Sequence, residues 1–126
     1  MTAATSSGFT MQKGGVKTGM TALSGGTVPL LAANMLDAIN VVSVVASDAD
    51  SVMLPSNTTK GTLCWVFNQD SAQDINVWPN VGATILGGTA STGDCAVGQT
   101  QGAVFVQLAD DGLTWMGLLG AVFVPV

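Results

Sequence analysis

From residue 39 onward the chain is written in short apolar runs separated by Gly, Pro, Asn and Asp. Residues 39–46 (INVVSVVA) form a β-branched run, and Asp48-Ala49-Asp50 supplies a turn after it. Residues 51–54 predict a short strand stopped by Pro55, which cannot donate to a sheet ladder. Residues 62–68 alternate, with Leu63, Trp65 and Phe67 on one side and Cys64 and Val66 on the other. Residues 74–78 place Ile75 and Val77 on one face and end at Pro79; residues 83–86 end at Gly87-Gly88. Residues 102–108 set Val104, Val106 and Leu108 against Ala103, Phe105 and Gln107. Asp110-Asp111-Gly112 then predicts a hairpin turn into a strand over 113–118 carrying Trp115, with a terminal strand over 121–126. Short strands at roughly 8–12-residue spacing with turn residues between them predict an all-β fold, an antiparallel β-sandwich or barrel of jelly-roll type.

Residues 1–28 lack this pattern. They are rich in Gly, Ser and Thr, and Phe9, Met11, Val16, Met20 and Leu23 keep neither a helical nor a strand period. The expectation is an extended N-terminal arm over 1–28 followed by a β-sandwich domain over 29–126. Phe9, Met11 and Met20 are the arm's natural anchors on a neighbouring subunit, with Lys13 and Lys17 between them. Residues 29–36 (PLLAANML) read either as a short helix capped by Thr27 or as a strand.

Composition narrows the function more than the fold. The chain has 126 residues, a net charge of −5 and 9% charged residues, against about 25% in ordinary globular proteins. His is absent, as are Arg, Glu and Tyr; the cations are Lys13, Lys17 and Lys60 and all eight acids are Asp. Without His there is no common general base or zinc ligand. Without Arg, and with three lysines against eight acids, phosphate neutralisation is poor, so no nucleic-acid partner is expected. The longest apolar runs fall short of the ~18 residues of a membrane span. The first residues, MTAATSSGFTMQ, hold no basic cluster and no apolar core, so synthesis and use from the producer's cytosol are expected. Cys64 and Cys95 lie in no CxxC pair. They read either as small buried apolar groups or as a long-range disulfide, and cytosolic synthesis favours free thiols.

Several residue groups suggest chemistry, and each has a plainer reading. Asp48 with Asp50, and Asp110 with Asp111, offer the hard oxygen ligands calcium takes; Asp in a turn more often bonds its own backbone. Thr58-Thr59-Lys60-Gly61-Thr62 resembles a phosphate loop only faintly, because Lys precedes Gly and the upstream Gly is missing. Nothing sets a Ser or Asp nucleophile beside a base. Trp65, Trp78 and Phe105 read either as a sugar-binding platform or, more plainly, as core packing. No metal or other cofactor is expected.

The order of residues over 50–119 resembles small β-domains in structural proteins of tailed bacteriophages, including capsid decoration (cement) proteins and tail or fibre modules. The resemblance lies in Asp50-Ser51-Val52-Met53-Leu54-Pro55, then Gly61 and the strand ending at Asn68. It continues through Ile75-Asn76-Val77-Trp78-Pro79 with Gly82, Ile85 and Gly87. Its last elements are Gly98, the strand at Val104 to Gln107, and Asp111-Gly112-Leu113-Thr114-Trp115. It covers just over half the chain and leaves the arm outside. It implies a non-catalytic virion protein on the capsid exterior, assembled in the host cytoplasm, bound to the major capsid protein and to itself as a homotrimer. Trp78 joins Phe9, Met11, Lys13, Lys17 and Met20 as an expected interface residue. The alternative is a tail or fibre module, an adaptor or a receptor-binding tip; a small hydrolase is the third reading.

Overall fold

The computed structural model describes residues 15–23, 36–48 and 50–122, with backbone only for 121 and 122. Nine strands follow in chain order: β1 (Val16–Thr21), β2 (Ile39–Val44), β3 (Ser51–Met53), β4 (Leu63–Asn68), β5 (Ile75–Trp78), β6 (Thr84–Ile85), β7 (Cys95–Val97), β8 (Gln101–Gln107) and β9 (Thr114–Val122). No helix occurs among the described residues. A six-stranded sheet in the order β1-β2-β4-β8-β9-β6 lies over a three-stranded sheet in the order β3-β5-β7. The fold is therefore an all-β sandwich.

The core is the layer between the sheets. Val42, Val66, Phe105 and Trp115 of the large sheet meet Val52, Ile75, Val77 and Val97 of the small one, all fully buried. Phe105 and Trp115 each remove on the order of 150–250 Å² from water, about 3–6 kcal/mol apiece. The Trp115 indole N–H donates to Asn80 Oδ1 at 3.1 Å, so its polar edge is satisfied inside the core. Asn68, also fully buried, closes the end of β4 against the small sheet. Its Nδ2 lies 2.9 Å from Gln73 O, 3.2 Å from Val97 O and 3.1 Å from Gly98 O.

The strand pairing departs from the antiparallel expectation. β4–β8, β8–β9 and β5–β7 are antiparallel, but β1–β2, β2–β4, β3–β5 and β6–β9 are parallel. From β2 to β8 the chain alternates between the sheets, large then small, at every connection. From β2 to β5, two successive crossings restore the original direction, so β2 and β4 lie side by side in parallel, as do β3 and β5; β7 enters the small sheet reversed and pairs antiparallel with β5. A turn signal marks a reversal of the chain; it does not say whether the next strand pairs with the last one or crosses the core.

The Asp110-Asp111-Gly112 hairpin is present. β8 and β9 pair antiparallel and Gly112 takes φ +76°. The strands expected over 113–118 and from 121 join as the single strand β9, while 123–126 lie outside the described residues. Residues 16–21, assigned to the arm, form β1 beside β2, and Leu23 bridges Ser51, so the chain joins the sandwich before residue 28. β1 is exposed on both sides along most of its length, and a strand without a buried face carries no alternation to read. The rest of the expected arm, residues 1–14 and 24–28, lies outside the described residues, as does most of the 29–36 segment.

Candidate functional site

β4 is apolar on both faces, and only one of them is the core. Cys64, Val66 and Asn68 point inward and are buried, whereas Leu63, Trp65 and Phe67 point outward. Register extends this outward face across neighbouring strands. Ile39 pairs with Trp65, Trp65 with Val104, and Val104 with Leu118, giving one continuous apolar row. A second row runs from Leu63 through Val106 to Met116. Trp65 is 40% exposed and Leu118 66% exposed, the largest exposure among the large apolar residues of these strands.

Phe67 lies in the next row opposite Gly102. A Cβ on Gly102 would stand 3.0 Å from the Phe67 ring, so glycine there lets the aromatic cross the neighbouring strand. The Trp65 and Phe67 rings stack with centroids 6.3 Å apart and planes 6° from parallel. Beside them a groove of about 410 Å³ is bounded by Trp65, Phe67, Val104, Leu118 and Leu119. Strands β2, β4, β8 and β9 contain no charged residue at all.

The acids lie in the connections, where they organise backbone. Asp50 Oδ2 accepts the amides of Ala46 (2.9 Å) and Ser47 (3.2 Å). Asp48 accepts Asp74 N at 2.9 Å, Asp74 accepts Gln99 N at 3.2 Å, and Asp111 accepts Leu113 N at 3.0 Å. Asp70 Oδ1 accepts Ala72 N and Gln73 N at 2.8 and 2.9 Å. Those amides, Ala72 foremost, hold the Asp70 carboxyl below its ordinary range. The Asp50 and Asp111 bonds are the turn chemistry weighed against calcium binding, whereas Asp48 ties its connection to one 26 residues away; no three metal-ligating side chains cluster among the described residues. In the Thr58 to Thr62 loop, Gly61 N donates to Gln107 O and Thr62 N to Thr59 O. Those amides fasten the loop to β8 and to itself and are not turned toward a phosphate.

The aromatic platform does not assemble. Trp65 lies on the outer face of the large sheet, Phe105 is fully buried in the core, and Trp78 is half-buried on the small sheet. Trp78 Nε1 is the one buried side-chain polar atom without a hydrogen-bond partner among the described residues. Of the other expected interface residues, Lys17 is exposed on β1 and Met20 packs partly against the core. Phe9, Met11 and Lys13 lie outside the described residues.

Both cysteines are free thiols. Cys64 is fully buried and donates to Asp37 O at 3.2 Å; burial, with the Asp37 charge adding, pushes its pKa up to about 12. The Cys95 thiol is also raised, by partial burial and by Asp94.

Sequence reasoning did not single out Ile39, Leu63, Met116 or Leu118. A signal for them was present: β4 and β8 are apolar at odd and even positions alike, which is the pattern of a strand covered on both sides. No protein-family model, curated protein or solved structure matches this chain.

Proposed function

We propose that this chain is a non-catalytic structural module of a tailed-phage virion, a decoration protein that sits as a homotrimer on the outer capsid surface against the major capsid protein. The observation that carries the reading is the charge-free apolar face of β2, β4, β8 and β9, which a solitary globular protein would have little reason to keep. The residue order over 50–119 adds the resemblance to phage virion β-domains. The mechanism is mechanical. Several weak seats on one assembly act together through their high effective concentration. Copies that bind the assembled shell and not its free subunits stabilise the shell by linkage, about 2.7 kcal/mol per site at a hundredfold excess over Kd.

Chain stoichiometry and location on the intact particle test this. Cryo-electron microscopy of virions is expected to show hundreds of copies at three-fold or quasi-three-fold positions of the shell. Density confined to the tail, with at most tens of copies, rejects the decoration reading in favour of a tail or fibre module.

A further inference from the structure

We infer that the outward face of β2, β4, β8 and β9 is the surface through which copies of this chain hold one another, each copy's face covered by a neighbouring copy. The inference rests on the reading of the chain as an assembling structural module, and it names the contact.

Interfaces formed late, between proteins that first live apart, are about as apolar as ordinary surface; homo-oligomer interfaces are more apolar and resemble a core cut in two. Here Ile39, Leu63, Trp65, Met116 and Leu118 stand 38% to 66% exposed on strands without one charged residue. A partner met only on a finished shell would leave this face in water until then. A copy of the same chain covers it from synthesis onward.

Taking ~150–200 Å² for a large side chain, the exposed fractions of these five residues leave roughly 340–450 Å² of apolar surface on this face. That is the size of the largest patch on an ordinary monomer, which is often functional, and about half of the ~800 Å² that each partner gives to a standard interface.

Leu118 projects from the face, and the groove of about 410 Å³ lies beside it, where Gly102 and Gly120 leave the sheet bare. With the knob and the hole side by side, Leu118 of each copy can enter the groove of the next, a head-to-tail contact that closes as a ring. Each copy carries a net charge of −5, yet its acids sit in the connections, so packing through these strands brings no carboxylates together.

Sedimentation of the purified full chain, without shells, tests this. At micromolar concentration the chain is expected to sediment as a multiple of its 12.7 kDa mass. Leu118→Asp is expected to return it to a single 12.7 kDa species with unchanged far-UV circular dichroism. If that variant misfolds, Leu118→Ser serves in its place. Val81→Asp, at an equally exposed apolar residue in the connection before β6, is expected to leave the oligomer intact. Trp65 emission, taken as the difference from Trp65→Phe, is expected to shift to the red only when Leu118 is changed. A monomeric wild-type chain overturns the inference, as does an oligomer indifferent to Leu118→Asp or one broken equally by Val81→Asp. Co-sedimentation with shells is read separately. A monomer that still binds shells overturns this contact and leaves the decoration reading standing; an oligomer broken by Leu118→Asp that binds no shell supports the contact and counts against decoration.

Discussion

Asn68→Asp changes one atom type and keeps the side chain's shape, so its effect isolates what the Asn68 amide does. The wild-type Nδ2 lies 2.9–3.2 Å from Gln73 O, Val97 O and Gly98 O, while Oδ1 accepts Asp70 N at 3.0 Å. The amide thus ties β4 of the large sheet to the end of β7 in the small sheet and to the connection between β4 and β5. Placing a carboxylate there aims an acceptor, and at neutral pH a charge, at three carbonyl oxygens in a fully buried position. Lost bonds, orphaned carbonyls and an unpaired buried charge together cost about 3–5 kcal/mol. At ~2.1 cal/mol/K per residue the unfolding entropy of a chain this size converts that to a fall in Tm of roughly 12–20 °C at pH 7. The sign of the pH dependence follows from the burial. The introduced carboxyl has a folded-state pKa raised above its unfolded value of about 3.9. The folded variant therefore binds more protons than the unfolded one between those values, and it loses stability as pH rises through them. The gap from wild type is expected to narrow as pH falls from 7 toward 4. Asn57→Asp, exposed and at φ +57°, is the control and is expected to shift Tm by no more than ~2 °C. Thermal melts by circular dichroism at pH 7 and pH 4 measure all three chains. A fall under ~4 °C at pH 7, or a gap that does not narrow toward pH 4, would refute the assignment of Asn68 as a buried clamp between the sheets.

Two glycines at similar φ separate backbone strain from crowding. Gly82 takes φ +84° with open space around it, so Gly82→Ala is expected to cost about 1–2 kcal/mol. Gly112 takes φ +76° and its Cβ would stand 2.5 Å from Thr58 O, so Gly112→Ala is expected to cost about 2–4 kcal/mol by urea unfolding. Equal costs would mean that the Thr58 contact yields freely. The thiols offer a kinetic test at pH 8. Cys64, pushed up to about 12 and fully buried, is expected to stay unreactive toward a disulfide reagent in the folded chain, while half-buried Cys95 reacts slowly. Full denaturation without reductant is expected to release two thiols per chain; none released would mean a disulfide.

The alternation over 62–68 and 102–108, and the Asp110-Asp111-Gly112 turn, were legible because each depends on local chemistry: which side a residue faces, and which residues tolerate a tight reversal. β1 was not legible, because Val16 to Thr21 has no buried face to impose a period. β7 was not either. Cys95, Ala96 and Val97 are too few to show one, and the strand exists because β5 pairs with it. The aromatic platform failed for a related reason. Residues at matching strand positions share a face only once it is known which sheet each strand joins, and Trp65, Phe105 and Trp78 ended on three different surfaces.

By itself the sequence determined the layer chemistry of this protein. Its β-branched runs, strand-stopping prolines and turn residues specify an all-β chain, and its missing His, Arg and Glu remove the usual catalytic and phosphate-binding groups. The tertiary structure alone decided which apolar face became core. Cys64, Val66 and Phe105 are buried because the chain crosses between sheets at each connection from β2 to β8, laying β3, β5 and β7 over that side of the large sheet. The small sheet covers one face only. Leu63, Trp65 and Leu118 are as hydrophobic as the residues it covers, and they remain on the outside because hydrophobicity is non-directional and topology places the cover.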